Sequence, residues 1–245
     1  MAEFHNPLEQ FEIKRLVPAH VGNLDISFTN SSLFMVVAVV LVTTLMIAGI
    51  RRRSLVPTRL QSIAELSYEF IADMLQENVG SAGRVYFPFV FTLFMFILFS
   101  NLLGMVPFSF TVTSHIIITF AMAIVVFLGV TIIGIVKHGF GFLSMFAPPG
   151  VPKPMLVLLV PIEILSYLIR PFTLSIRLFA NMMAGHIMLK VFAGFVILVG
   201  WIGFWAPLSF MVALTALEIL VAFLQAYVFT ILSCIYLNDA VNMPH

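Results

Sequence analysis

Five stretches of this chain stay apolar for roughly 18 residues or more, and no other feature limits its fold so strongly. A helix rises about 1.5 Å per residue, so a run of that length matches a hydrocarbon layer roughly 30 Å thick. The residues agree in bulk: 61% are hydrophobic and only 9% charged, where a soluble domain averages about a quarter charged. The chain therefore reads as an all-α integral membrane protein. A net charge of +1 gives nucleic acid no reason to bind, and the lone Cys234 excludes an intrachain disulfide. The first 30 residues hold Glu3, Glu9, Glu12, Lys14, Arg15 and Asp25 around no short apolar core. The first apolar run is thus expected to be a retained helix and not a cleaved signal.

Read in order, the first span covers 33–50 and is closed by Arg51, Arg52 and Arg53. Over 58–78, Glu65, Glu69, Asp73 and Glu77 recur every four residues, opposed by Ile63, Leu66, Phe70 and Met74. This is an amphipathic helix, expected on the membrane surface or against a partner; its acidic stripe reads equally well as a merely solvated face. A hairpin of two spans follows over 86–136, turned by Pro107 and a short polar group of Ser109, Thr111, Thr113 and Ser114. The run Pro148, Pro149, Gly150, Val151 and Pro152 is a clear break.

Two long apolar segments remain, from 154 to about 200 and from about 205 to 237. A helix of about 40 residues is about 60 Å long, twice an upright crossing. The first segment must either break into pieces or lie steeply tilted, and Pro161 and Pro171 are where it would kink or end. With these spans, seven basic residues of short loops (Arg51, Arg52, Arg53, Arg59, Arg84, Lys137 and Lys153) fall on one side and only Lys14 and Arg15 on the other. That asymmetry sets the N-terminal segment 1–32 outside and the C-terminus in the cytoplasm. No internal repeat is visible, so a single membrane domain is expected.

Glu163, Arg170, Arg177, His186, Lys190 and Glu218 lie inside these apolar segments. Ionisable groups in lipid cost at least a few kcal/mol each, so they face a cavity or a partner and mark an ion path. At about 100° per residue, Glu163, Arg170, Arg177 and Asn181 share one helix face, with Ala184 and Gly185 close by, while His186 and Lys190 point elsewhere. Small residues there would let another helix approach. Glu218, Gln225 and Tyr236 form a matching stripe on the last segment. Simpler readings stand beside this one: Arg170 and Lys190 snorkelling to an interface, and Glu163 or Glu218 in a structural salt bridge. Arg177 resists such a reading. It lies deep in its segment, has no acidic residue within a helical turn and cannot shed its charge, so its counter-charge must come from outside its helix.

Enzyme signatures are absent: no HExxH, no GxSxG and no GxxxxGK[ST] occurs, and the histidines His5, His20, His115, His138, His186 and His245 lack the spacing of a helical metal site. No cofactor or metal is expected. An imidazole at His186 and a carboxyl at Glu218 suit a proton relay better than a metal pair.

The stretch LSIRLFANMMAGH (174–186), preceded by PIEILSYLIRPFT and followed by ALEILVAFLQAYVFTILSCIYL, resembles subunit a of the F-type ATP synthases, from about Asn101 to Asp239. The first 80 residues match more loosely. The resemblance implies a stator subunit, no enzyme by itself, set against a ring of c subunits that each carry a membrane-embedded carboxylate. It implies peripheral-stalk b-type subunits and a soluble ATPase sector as further partners, and a long tilted hairpin over 154–237. Arg177 then corresponds to the arginine facing the ring, and Asn181 and Gln225 to its polar neighbours. His186 and Glu218 correspond to the external half-channel, Glu163 and Asp239 to the cytoplasmic one. Better-known bacterial members carry glutamate where this chain has His186 and histidine where it has Glu218, whereas mitochondrial members are like this chain. The resemblance thus points to the inner membrane of a bacterium from the branch nearest mitochondria, ahead of the mitochondrial inner membrane itself. Two rivals belong to other classes: a secondary transporter clamping an anionic solute with Arg170 and Arg177, which would call for repeated halves, and a metalloenzyme using His115, His186 and Glu218.

Overall fold

The computed structural model describes residues 12–18, 20–21, 24–25, 27–51, 57–106, 109–146, 153–198 and 205–242. Arg52, Arg53, Pro107 and the run Pro148, Pro149, Gly150, Val151 and Pro152 lie outside them, as do residues 1–11.

Six α-helices carry the described chain: α1 Asn30–Arg51, α2 Arg59–Asn78, α3 Phe87–Gly104, α4 Ile116–His138, α5 Lys153–Leu198 and α6 Trp205–Val241. All but α2 are long and apolar enough to cross a membrane. Short 3₁₀ turns at Ser81–Tyr86, Val112–Ser114 and Gly139–Phe146 lie between them. Ahead of α1 stand four strands of two or three residues, β1 Arg15–Val17, β2 His20–Val21, β3 Leu24–Asp25 and β4 Phe28–Thr29, with β1 antiparallel to β4 and β2 to β3. No apolar alternation announces strands so short. The segment leading into β1 is fastened to α1 by Asn30, whose Oδ1 accepts from Lys14 N (3.1 Å) and Ser31 N (2.9 Å) while its Nδ2 donates to Glu12 O (3.1 Å).

Helix α2 starts where Thr58 Oγ1 accepts from Gln61 N at 3.4 Å, a side-chain N-cap. It buries Gln61, Ala64, Ile71, Met74 and Leu75. The apolar face expected from the acidic spacing is split: Met74 is inside, while Ile63 and Leu66 are 49% and 65% exposed. Small residues set the choice. A Cβ placed on Gly49 would stand 2.7 Å from Ala64 Cβ, so α1 and α2 cross where neither has bulk. Phe70 reaches the rings of Phe94, Phe223 and Tyr227, tying α2 to α3 and α6.

Helix α3 is central, burying Val90, Leu93, Phe94, Met95, Ile97, Ser100, Asn101 and Gly104. Helix α5 runs unbroken through both prolines for 46 residues, about 69 Å, and α6 for 37 residues, about 56 Å. Neither length fits an upright crossing, so both must tilt to stay in the hydrocarbon layer. Each proline removes one backbone donor, a loss that packed membrane helices tolerate. Helix α5 packs on α4 and α6, and α6 also on α3. Apolar residues left open on this pair, such as Val157, Leu158 and Val212, are 78%, 69% and 63% exposed.

Candidate functional site

Three groups of polar side chains line α5 and α6. Nearest the end where β4 leads into α1, His186 and Glu218 meet, with Nδ1 and Oε1 2.6 Å apart. The imidazole is clasped on both edges. Nδ1 is 3.0 Å from Met182 O, and Nε2 is 2.9 Å from Gly104 O and 3.0 Å from Thr111 Oγ1. Both residues are buried, and Oε2 of Glu218 finds no hydrogen-bond partner among the described residues. Gly185 makes the contact possible: a Cβ there would lie 2.7 Å from Glu218 Oε1. Beside this pair, Thr113 Oγ1 donates to Asn101 Oδ1 (2.8 Å) and Asn101 Nδ2 to Ala222 O (3.1 Å), all fully buried.

At the other end, Arg170 of α5 grips Asp239 of α6, Nη1 to Oδ2 at 3.0 Å. Its guanidinium lies 5.2 Å from the ring centre of Tyr167 and 4.7 Å from that of Tyr236, inside cation–π range. Tyr167 Oη meets Thr131 Oγ1 of α4 at 2.7 Å, and Lys137 Nζ donates to Val241 O at 3.0 Å. So α4, α5 and α6 are braced together here. The sequence puts Arg170 on a polar helix face, and the resemblance gives Asp239 to the cytoplasmic half-channel, but neither pairs the two, because the partners are 69 positions apart.

Arg177 stands between the two groups. It is exposed on the open face of α5, and among the described residues no carboxylate lies within ion-pair distance of it. Asn181, one turn on, is exposed as well; Glu163 and Gln225 are half-buried. None of these three is hydrogen-bonded to Arg177 within the described chain. Among the described residues, no three His, Cys, Asp or Glu side chains converge as a metal site would need.

The family model for the ATP synthase A chain matches residues 32–238. The chain belongs to that family. It is 58% identical to ATP synthase subunit a of Pelagibacter ubique, over 98% of this chain and 99% of that protein. The same-named subunits of Parvibaculum lavamentivorans and Paramagnetospirillum magneticum are 57% and 58% identical, over 98% and 97% of this chain and 95% and 99% of theirs. Along the helices of this chain the two polar groups are set far apart. Glu218 and Asp239 are 21 residues apart on α6, about 31 Å along its axis and close to the thickness of the hydrocarbon layer. Arg177 lies nine residues from His186 and seven from Arg170 on α5.

Proposed function

We propose that Arg177 divides two offset proton half-channels in this membrane-sector subunit of ATP synthase, one through His186 and Glu218, the other through Glu163 and Asp239. The subunit is the stator half of a proton-driven rotary machine and not an enzyme by itself. One observation carries the reading: an arginine with no counter-charge among the described residues faces outward between two polar sites that lie at opposite ends of the helix pair. A permanent cation there favours the ionised form of a carboxylate brought past it, and so drives proton release from that carboxylate. It also stops a direct leak between the half-channels, because a guanidinium does not hand its proton on.

The moving carboxylate belongs, in this reading, to a ring of small proteolipid c subunits, with Asn181 and Gln225 as polar company for Arg177. The exposed apolar surface of α5 and α6 offers that ring a face. Peripheral-stalk b-type subunits are the second contact, and the soluble ATPase sector is reached through the assembly. The bacterial relatives support a bacterial inner membrane, and the basic-residue asymmetry supports an N-terminus outside and a C-terminus in the cytoplasm. Nothing in the family match or the helix order supports the solute-transporter alternative.

The deciding experiment reconstitutes the complex with Arg177→Ala and measures ATP-driven proton pumping. Pumping is expected to disappear; normal coupled pumping overturns the assignment.

A further inference from the structure

The polar turn between α3 and α4 has a structure that a mere turn does not need. Thr111, Thr113 and Ser114 are 3%, 0% and 4% exposed, in a chain with few polar groups to spare. Buried hydroxyls in lipid are costly unless bonded, and the Thr111 hydroxyl is bonded to His186. Its Oγ1 stands 3.0 Å from Nε2, the ring nitrogen turned away from Glu218. The approach is built in: a Cβ on Gly104 would come within 2.7 Å of Thr111 Cγ2 and 2.9 Å of its Oγ1. Next along the turn, Ser114 Oγ donates to Thr111 O at 2.7 Å and lies 3.3 Å from Nδ1 of the half-buried His115. The His115 ring rests 5.0 Å from that of Phe110.

We infer that the segment from Thr111 to His115 is the outer mouth of the relay, with the Thr111 hydroxyl handing protons to Nε2 of His186 and His115 with Ser114 lining the entrance. The inference deepens the half-channel reading above and rests on it. The chemistry balances. The hydroxyl gives its proton to Nε2 and takes one from the water side, while Nδ1 passes its own proton to the Glu218 carboxylate. Both states of Nε2 are provided for: protonated, it donates to Gly104 O at 2.9 Å; bare, it accepts from Thr111. With the carbonyl alone a bare Nε2 would have no donor, because a carbonyl oxygen only accepts. Thr111 therefore makes the imidazole a two-way stop.

The test uses the intact complex in proteoliposomes, with ATP synthesis driven by an imposed proton gradient. Thr111→Val keeps the shape and removes the hydroxyl, and is expected to slow synthesis at least fivefold. Thr111→Ser restores the hydroxyl and is expected to recover the parent rate to within twofold. A His115→Cys complex is expected to lose synthesis when a charged, membrane-impermeant thiol reagent is added on the external side, and to keep it when the reagent is confined inside; the parent, whose Cys234 is buried, is the control. Parental rates in Thr111→Val, or Thr111→Ser as slow as Thr111→Val, overturn the inference, as does a His115→Cys complex indifferent to the reagent. Glu218→Gln separates the levels. If it blocks synthesis while the Thr111 and His115 variants do not, only the mouth is misassigned; if it too runs at the parent rate, the half-channel reading falls with it.

Discussion

Nδ1 of His186 lies 2.6 Å from Oε1 of Glu218, the closest polar contact described between α5 and α6. It places one acid and one imidazole face to face in a buried site, where a proton can pass between them without reaching lipid. Their order along the chain is not what the geometry needs; their contact is.

The exchange variant follows from that contact. His186→Glu or Glu218→His alone puts two like groups together and is expected to cut proton-driven ATP synthesis by roughly 10²-fold, the scale of a lost acid–base step. The double variant His186→Glu with Glu218→His restores a mixed pair and is expected to recover most of the rate. ATP synthesis by vesicles under an imposed gradient reads both; a double variant no better than the singles would show that the surrounding carbonyls of Gly104 and Met182 demand an imidazole at 186.

Arg177→Lys keeps a cation but not a permanent one. A lysine in an apolar surround can give up its proton, so this variant is expected to leak: gradient decay without ATP synthesis should exceed the parent's severalfold. Measuring proton leak through the complex with the ATPase inhibited checks it, and a tight, coupled Arg177→Lys complex would refute the barrier role.

Gly185→Ala is aimed at the same pair from behind. The added Cβ would sit 2.7 Å from Glu218 Oε1, the mobile end of a side chain. The carboxyl is expected to swing off His186 while the helices stay packed. Synthesis should fall about tenfold with the complex's thermal midpoint nearly unchanged; a large drop in midpoint would mean that the helices, and not the carboxyl, gave way.

At the opposite end, Arg170 and Asp239 are partly exposed, at 20% and 36%, so their pair is screened. A double-mutant cycle with Arg170→Gln and Asp239→Asn is expected to give a coupling of about 1 kcal/mol, an exposed-pair value raised by the two tyrosine rings. Thermal unfolding in detergent reads it. A coupling near zero would leave the bracing of that end to contacts such as those of Tyr167, Thr131 and Lys137.

The spans, the amphipathic stripe and the lone charge of Arg177 were all legible in the sequence, because each depends on rules that act within one helix. A run of apolar residues, a four-residue recurrence of acids or an arginine with no acid one turn away is complete information at that level. What joined those helices was not. The continuity of α5 through Pro161 and Pro171 depends on packing against α4 and α6, so the sequence allowed a broken helix equally well. Which residues of α2 meet α1 was set by the Gly49 and Ala64 crossing, while Ile63 and Leu66, on the face whose spacing marks it for a membrane surface or a partner, are exposed. Thr111 looked like turn chemistry until the fold brought it against His186, 75 positions away.

The sequence by itself determined that this chain crosses a membrane with charges it cannot afford to leave idle. Only the tertiary structure decided that Arg170 takes Asp239, that His186 takes Glu218 and Thr111, and that Arg177 takes neither acid. Periodicity within a helix is set by local backbone geometry, whereas the register between two helices is set by which side chains fit together, and that fit is a property of the pair.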